Sequence, residues 1–245
     1  MATERIETVE DEDRFGFGAN WEKYLSVLTP SRIAMAEQSL IDILETDDLS
    51  DKKFLGIGCG SGLFSRVARQ LGAEVYSFDY DEKSVERARE LKRRFFPADD
   101  SWTISSGSVL DVDYMKSVGQ FDVVYSWGVL HHTGKMNQAL ANAQIPVSGG
   151  GLLCIAIYND QGIASRWWTK VKKTYCSNAL GRYLVLAVFI PFFILRSMAV
   201  GIIKYKNPFG SYINYKKERG MSIYHDWIDW LGGYPFEVAK PEEIW

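Results

Sequence analysis

Four glycines at alternate positions, Gly56, Gly58, Gly60 and Gly62, lie within Phe54-Leu-Gly-Ile-Gly-Cys-Gly-Ser-Gly-Leu-Phe64. Glycine has no Cβ, so such a loop lets a ligand approach the backbone closely. The N–H groups of a following helix point into the same space. A plain tight turn is the competing use, but four alternating glycines at a strand-to-helix turn point to a nucleotide-like ligand. A dinucleotide loop wants G-x-G-x-x-G. From Gly58 the last position is Leu63, and from Gly56 it is Ser61, so the spacing argues against a dinucleotide oxidoreductase. Asp79 stands 19 residues beyond Gly60. A carboxylate ending the next strand can accept both hydroxyls of a ribose. Helix capping is its other possible role, and Asp81 is better placed for that. His131 and His132 suit removal of a phenol or hydroxyl proton, because histidine titrates near neutrality. A structural histidine pair at a helix start is the alternative. Tyr158, Asn159 and Asp160 follow a later strand and face the same mouth; Asp160 either orients a histidine or caps the next helix.

Holding those groups requires a regular frame. Apolar spacing predicts a helix over Ser31–Leu44 and strands over Lys53–Ile57, Glu74–Phe78, Thr103–Ser105, Phe121–Ser126 and Gly151–Ile157. Helices are expected over Leu63–Leu71, over Asp81–Phe95 with Asp81 as N-cap, and over Asn137–Ala143. Strand and helix alternate through the first two thirds of the chain. That pattern predicts an α/β fold, a Rossmann-like parallel sheet with helices on both faces.

The segments Leu55-Gly-Ile-Gly-Cys-Gly-Ser-Gly62, Phe78-Asp79, Gly107-Ser-Val-Leu-Asp111 and Phe121-Asp-Val-Val-Tyr-Ser-Trp-Gly-Val-Leu-His-His132 together resemble the class I S-adenosylmethionine-dependent methyltransferases. They are most similar to the bacterial small-molecule branch that includes ubiquinone-biosynthesis enzymes. The resemblance covers roughly residues 50–160. It implies S-adenosyl-L-methionine as cofactor. Gly58, Gly60 and Gly62 would line its methionine part, with Asp79 on the ribose and Tyr80 beside the adenine. It also implies Ser108 and Val109 against the adenine ring and Ser126 and Trp127 below the sulfonium; core packing is the alternative for Val109 and Trp127. The family usually carries Asp or Glu where this chain has Gly56. Loss of that charged hydrogen bond, worth about 1.5–3 kcal/mol, implies weaker but not abolished cofactor binding.

The chain has 245 residues, 47% hydrophobic and 24% charged, as expected of a soluble globular protein. Three scattered cysteines exclude a disulfide framework or a zinc cage. The acid-rich start carries no secretory signal and suggests a cytoplasmic protein. The net charge of −3 hides an asymmetry: residues 161–219 hold eleven Lys/Arg and one acid. Within them, Tyr183–Leu195 is thirteen residues without a charge, interrupted by Pro191. A membrane span wants about 20 apolar residues, so a hydrophobic cap or a membrane-surface segment through 167–206 is expected instead, the latter at the inner face of a membrane. No nucleic-acid partner is expected, because the uncharged core is wrong for one.

His225-Asp226 begins a second group in which Asp226, Asp229 and Trp230 share a helical face; no close ligand spacing supports a metal. Lys240–Trp245 reads as a helix start. The terminal strand pair of the family is then missing, which predicts five parallel strands and an uncovered sheet edge. The expected divisions are a helical segment at 1–48, the cofactor core at 49–160, a basic apolar lid or membrane-surface insertion at 161–235, and a truncated element at 236–245. Two functions follow: methyl transfer to a small lipophilic acceptor at O, N or C, or a degenerate, non-catalytic methyltransferase-like binding protein.

Overall fold

The computed structural model describes residues 28–213 and 223–244, without the side chain of His225. The opening 1–27, including the aromatic run Phe15–Trp21, lies outside the described residues. Two compact units emerge. Among the described residues, one comprises 28–159 with 241–244, the other 160–213 with 223–240.

The first unit is a five-stranded sheet ordered β3-β2-β1-β4-β5. Its strands are β1 (Lys53–Ile57), β2 (Glu74–Asp79), β3 (Trp102–Ser106), β4 (Phe121–Trp127) and β5 (Val147–Ala156). Every pairing is parallel. Chain order reverses between β1 and β4, so the carboxyl ends of β1, β2 and β4 open on one crevice, where ligands sit in such sheets. The helices are α1 (Pro30–Leu44), α2 (Leu63–Gln70), α3 (Glu82–Phe95), α4 (Val112–Ser117) and α5 (Met136–Gln144).

Alternation along the strands divides the core in two. Phe54, Val75, Trp102, Val123 and Tyr125 pack with Leu40 of α1 and Val67 of α2. Leu55, Ile57, Phe78 and Val124 point the other way, toward Met115 of α4 and Ala139 of α5. Side chains two apart on a strand share a face, so one sheet builds both layers.

Most expected elements stand within a residue or two of their places, with two differences. β5 begins at Val147, not at Gly151. Phe121 pairs with Val147 while Val123 pairs with Leu152, so Ser148–Gly151 bulge out between them. These glycines form a bulge, with Gly150 at φ +82°. Helix α4 is an addition: Asp111 caps it, accepting the N–H groups of Asp113 and Tyr114 at 3.0 Å each. Asp81 caps α3 as expected, accepting Lys83 N–H at 3.1 Å.

The second unit is helical: α6 (Ile163–Ser177), α7 (Ala179–Tyr205) and α8 (Ile223–Gly232). Helix α7 runs unbroken through Pro191. Proline there removes one backbone donor, and the helix continues with the residue exposed. Asn178 caps α7 by accepting Gly181 N–H at 2.8 Å. Asp160 holds Gly162 N–H at 2.8 Å, just before α6. Two α6 side chains terminate α8: Lys172 Nζ donates to Trp230 O, and Cys176 Sγ donates to Gly232 O at 3.0 Å. A cation suits the carbonyl end of a helix. Trp230 and Phe236 present their rings 4.2 and 4.8 Å from Lys172 Nζ, favouring the ammonium against the burial that pulls its pKa down to about 7. Instead of a helix start at Lys240, the described chain ends in a short 3-10 turn over Pro241–Glu243.

Candidate cofactor and acceptor site

The glycine loop has a local cause. Gly58, Gly60 and Gly62 all adopt left-handed backbone, at φ +65°, +53° and +80°, whereas Gly56, within β1, does not. A side chain in that region costs roughly 1–2 kcal/mol, so the alternation of glycines follows from the path of the chain. The positions are also crowded. A Cβ on Gly58 would lie 2.4 Å from Val129 Cγ1, and one on Gly62 would lie 2.9 Å from Ala88 Cβ. Gly62 opens α2, which has no side-chain cap and no acid in its first turn. The unbonded N–H groups of that turn therefore remain available to a carboxylate.

Asp79 ends β2 beside this loop. Its Oδ2 accepts Gly60 N–H at 2.8 Å and its Oδ1 accepts Asp81 N–H at 3.0 Å. Burial pushes its pKa up to about 6, against the pull of these backbone bonds. An ionised carboxylate has acceptor sites beyond those the backbone uses here. The Cys59 thiol beside it is pushed up by burial and by the Asp79 charge, so it is a poor nucleophile. Tyr80 follows with its ring exposed, and the loop after β3 carries Ser108. Ser108 Oγ accepts Leu110 N–H at 3.2 Å, while Val109 is buried in the second core layer with its carbonyl held by Asn142 Nδ2 at 2.8 Å. Ser126 is buried and donates to Ile57 O at 3.3 Å, joining the ends of β4 and β1. Trp127 is half exposed and stacks on Tyr125 at 5.9 Å.

The histidines lie in a 3-10 turn, Leu130–His132, directly beyond β4. His131 is 2% exposed. Its ring centroid lies 4.3 Å from His132 and 4.3 Å from Tyr158, so the adjacent histidines and the sequence-distant Tyr158 form one aromatic cluster. The cluster is tied to the glycine loop through Val129, which packs on Gly58 and precedes His131 by two residues. Sequence reading missed Val129, because an isolated apolar residue carries no motif. It also missed the hydroxyl chain at the end of β3. Ser105 Oγ lies 3.0 Å from Tyr76 Oη and 2.7 Å from Tyr114 Oη, and a Cβ at Gly107 would strike the Tyr114 ring at 2.2 Å. No group of three or more His, Cys, Asp or Glu side chains that could hold a metal occurs among the described residues. Asp226 and Asp229 lie on α8 in the helical unit; the side chain of His225 is outside the described residues.

Residues 55–155 match the family model described as a methyltransferase domain. Among curated proteins, the chain is similar to a ubiquinone biosynthesis O-methyltransferase of Sinorhizobium fredii, 28% identical over 148 residues. A Caulobacter protein of the same name is 27% identical over 146 residues. Each alignment covers 55% of this chain and 54% of the relative, so the chain spans about half the length of the curated proteins it matches. Among solved structures, a magnesium protoporphyrin IX methyltransferase from Synechocystis with bound SAH aligns at TM-score 0.48 and 16% identity, over 62% of this chain and 73% of that one. The glycine loop, the acid ending β2 and the β3-β2-β1-β4-β5 order fall inside or around the matched segment. Residues 55–155 of this chain are thus similar to a methyltransferase domain.

Proposed function

We propose that the chain transfers a methyl group from S-adenosyl-L-methionine to a small lipophilic acceptor, from the cytoplasm and close to a membrane. The observation that carries this is the Asp79 carboxylate, fixed on Gly60 N–H beside three left-handed glycines at the crevice of the sheet. Gly58, Gly60 and Gly62 leave the loop backbone bare toward the methionine part, and the uncapped start of α2 suits its carboxylate. Asp79 accepts the ribose hydroxyls, and Tyr80 and Ser108 flank the adenine, with Val109 closing the core behind. Ser126 fixes the ends of β1 and β4 beneath the reacting region, and Trp127 offers it an aromatic wall. When bound, the cofactor supplies an activated methyl on its sulfonium. His131 or His132 takes the proton from the acceptor, with Tyr158 holding the imidazoles in place. The curated relatives are named as O-methyltransferases, so a hydroxyl is the favoured acceptor. Calorimetry with S-adenosylmethionine and S-adenosylhomocysteine tests the cofactor half of the proposal. Micromolar binding supports it; absence of heat from a chain shown folded by circular dichroism overturns it.

Gly56 favours a second reading, a degenerate binding protein. The position lacks the family's acid, and Ser65 Oγ stands 2.8 Å from where a Cβ would be. An acid enters only if Ser65 turns aside. Gly56→Asp combined with Ser65→Ala should tighten S-adenosylmethionine binding about tenfold to a hundredfold, the worth of one charged hydrogen bond. An unchanged dissociation constant would show that Gly56 has cost the site nothing.

A further inference from the structure

Helix α7 is 27 residues long and apolar enough to cross a membrane, yet little of it is buried. Leu180, Val188 and Leu195 are 68%, 65% and 67% exposed, and Leu184, Pro191 and Ile202 are exposed beside them. Successive residues turn by roughly 100°, which places these six within about 40° of one line along the helix. The basic residues Arg182, Arg196 and Lys204 fall roughly 120–160° away from that line by the same rotation. The exposed apolar face is broad, since Phe192, Ile194, Tyr183 and Ile203 are exposed roughly 80–100° from the line, and the exposed charges lie beyond it.

Protein covers part of the opposite side of α7, between its exposed charges Arg182, Arg196 and Lys204. Trp168 and Trp167 of α6 meet Phe189 with ring centroids at 5.4 and 5.7 Å, and Trp227 of α8 meets Phe193 at 5.4 Å. A Cβ on Gly181 would strike Thr174 O at 2.3 Å, so α6 and α7 pack backbone to backbone there. Those covering helices are charged. Arg166, Lys170 and Lys173 of α6 are exposed, and α8 carries Asp226 and Asp229. If α7 crossed a bilayer, it would draw these charges into hydrocarbon, at several kcal/mol each. Lying in the plane of the surface costs none of this, because the charged helices stay on the water side. The electrostatics name the surface: eleven Lys/Arg against one acid over residues 161–219 complement an anionic headgroup layer.

We propose that the α7 stripe Leu180, Leu184, Val188, Pro191, Leu195 and Ile202 lies in the interfacial layer of an anionic bilayer, as a monotopic contact with the charged helices above it. Anionic lipid is enriched in the cytoplasmic leaflet, which is the face this contact selects. The contact does not depend on methyl transfer, and it is read without any cofactor.

Flotation of the full chain tests it, with vesicles of phosphatidylcholine alone and of phosphatidylcholine mixed with phosphatidylglycerol. Severalfold more protein should float with the anionic vesicles, and high salt should remove that difference. Val188→Asn with Leu195→Asn should abolish flotation in a chain whose circular dichroism is unchanged. Equal flotation with both vesicles, or none with a folded chain, overturns the proposal. Depth is read with an environment-sensitive fluorophore on a single cysteine, in a background with Cys59, Cys154 and Cys176 changed to serine. A label at 184 or 195 should shift to the blue on binding while one at 182 or 196 should not. Shifts at all four positions would mean a helix wrapped by lipid, and the monotopic contact would be wrong.

Discussion

Asp79→Asn should weaken S-adenosylmethionine binding about a hundredfold at neutral pH, because the charged acceptor proposed for the ribose is replaced by a neutral amide. The wild type should show the same loss by titration. With the carboxyl pushed up to about 6 by burial, affinity should fall below pH 6 by up to tenfold per pH unit, while the Asp79→Asn chain shows no such slope. Stability should move the other way. An unfolded aspartate titrates near 3.9, so between roughly pH 4 and 6 the folded protein holds a proton that the unfolded chain lacks. Stability from this group therefore grows as pH falls through 6. The melting temperature of the wild type, measured against Asp79→Asn without cofactor, should gain on the variant between pH 7 and pH 5. Calorimetry and thermal melts across that range check both halves. A pH-independent affinity in the wild type would remove Asp79 from the ribose.

Gly58→Ala should destabilise the sheet unit by about 2–5 kcal/mol. Left-handed backbone contributes roughly 1–2 kcal/mol, and overpacking about 1–3 kcal/mol. The second part has an identified cause, the Val129 methyls at 2.4 and 2.6 Å from the new Cβ. Val129 branches at its own Cβ, itself 3.0 Å away, so no simple rotation clears the clash. Val129→Ala in the same chain should recover most of the steric part, the contact with the two methyls, and leave the backbone part. Thermal unfolding followed by circular dichroism measures both. The pair has a functional side, since Val129 leads into His131. Gly58→Ala should therefore disturb the histidine cluster as well as the cofactor loop. A melting curve unchanged from the wild type would mean that the loop relaxes freely.

The amino-acid sequence by itself determined the parts whose cause is local. Left-handed turns need glycine, so Gly58, Gly60 and Gly62 announce the loop. Apolar strands broken by capped helices announce a parallel α/β sheet, and Asp81 marks the start of α3. The asymmetry of charge and the uncharged run at Tyr183–Leu195 announce a surface unlike the rest. What needed the tertiary structure were contacts between residues far apart in the chain. The last strand reads as starting at Gly151, because only pairing with Phe121 and Val123 of β4 shows the glycines before Leu152 to be a bulge within a longer strand. Pro191 reads as a helix break because propensity is local, while packing of Phe189 and Phe193 on the neighbouring helices holds α7 through it. His131 meets Tyr158 only because β4 and β5 are neighbours in the sheet and end together. Gly56 reads as a missing charge, and the fold adds that Ser65 stands against its place. Which apolar residues of α7 are covered was likewise settled by packing, because Phe189 and Phe193 look like Leu184 and Leu195 in sequence and only α6 and α8 distinguish the covered ones from the bare ones.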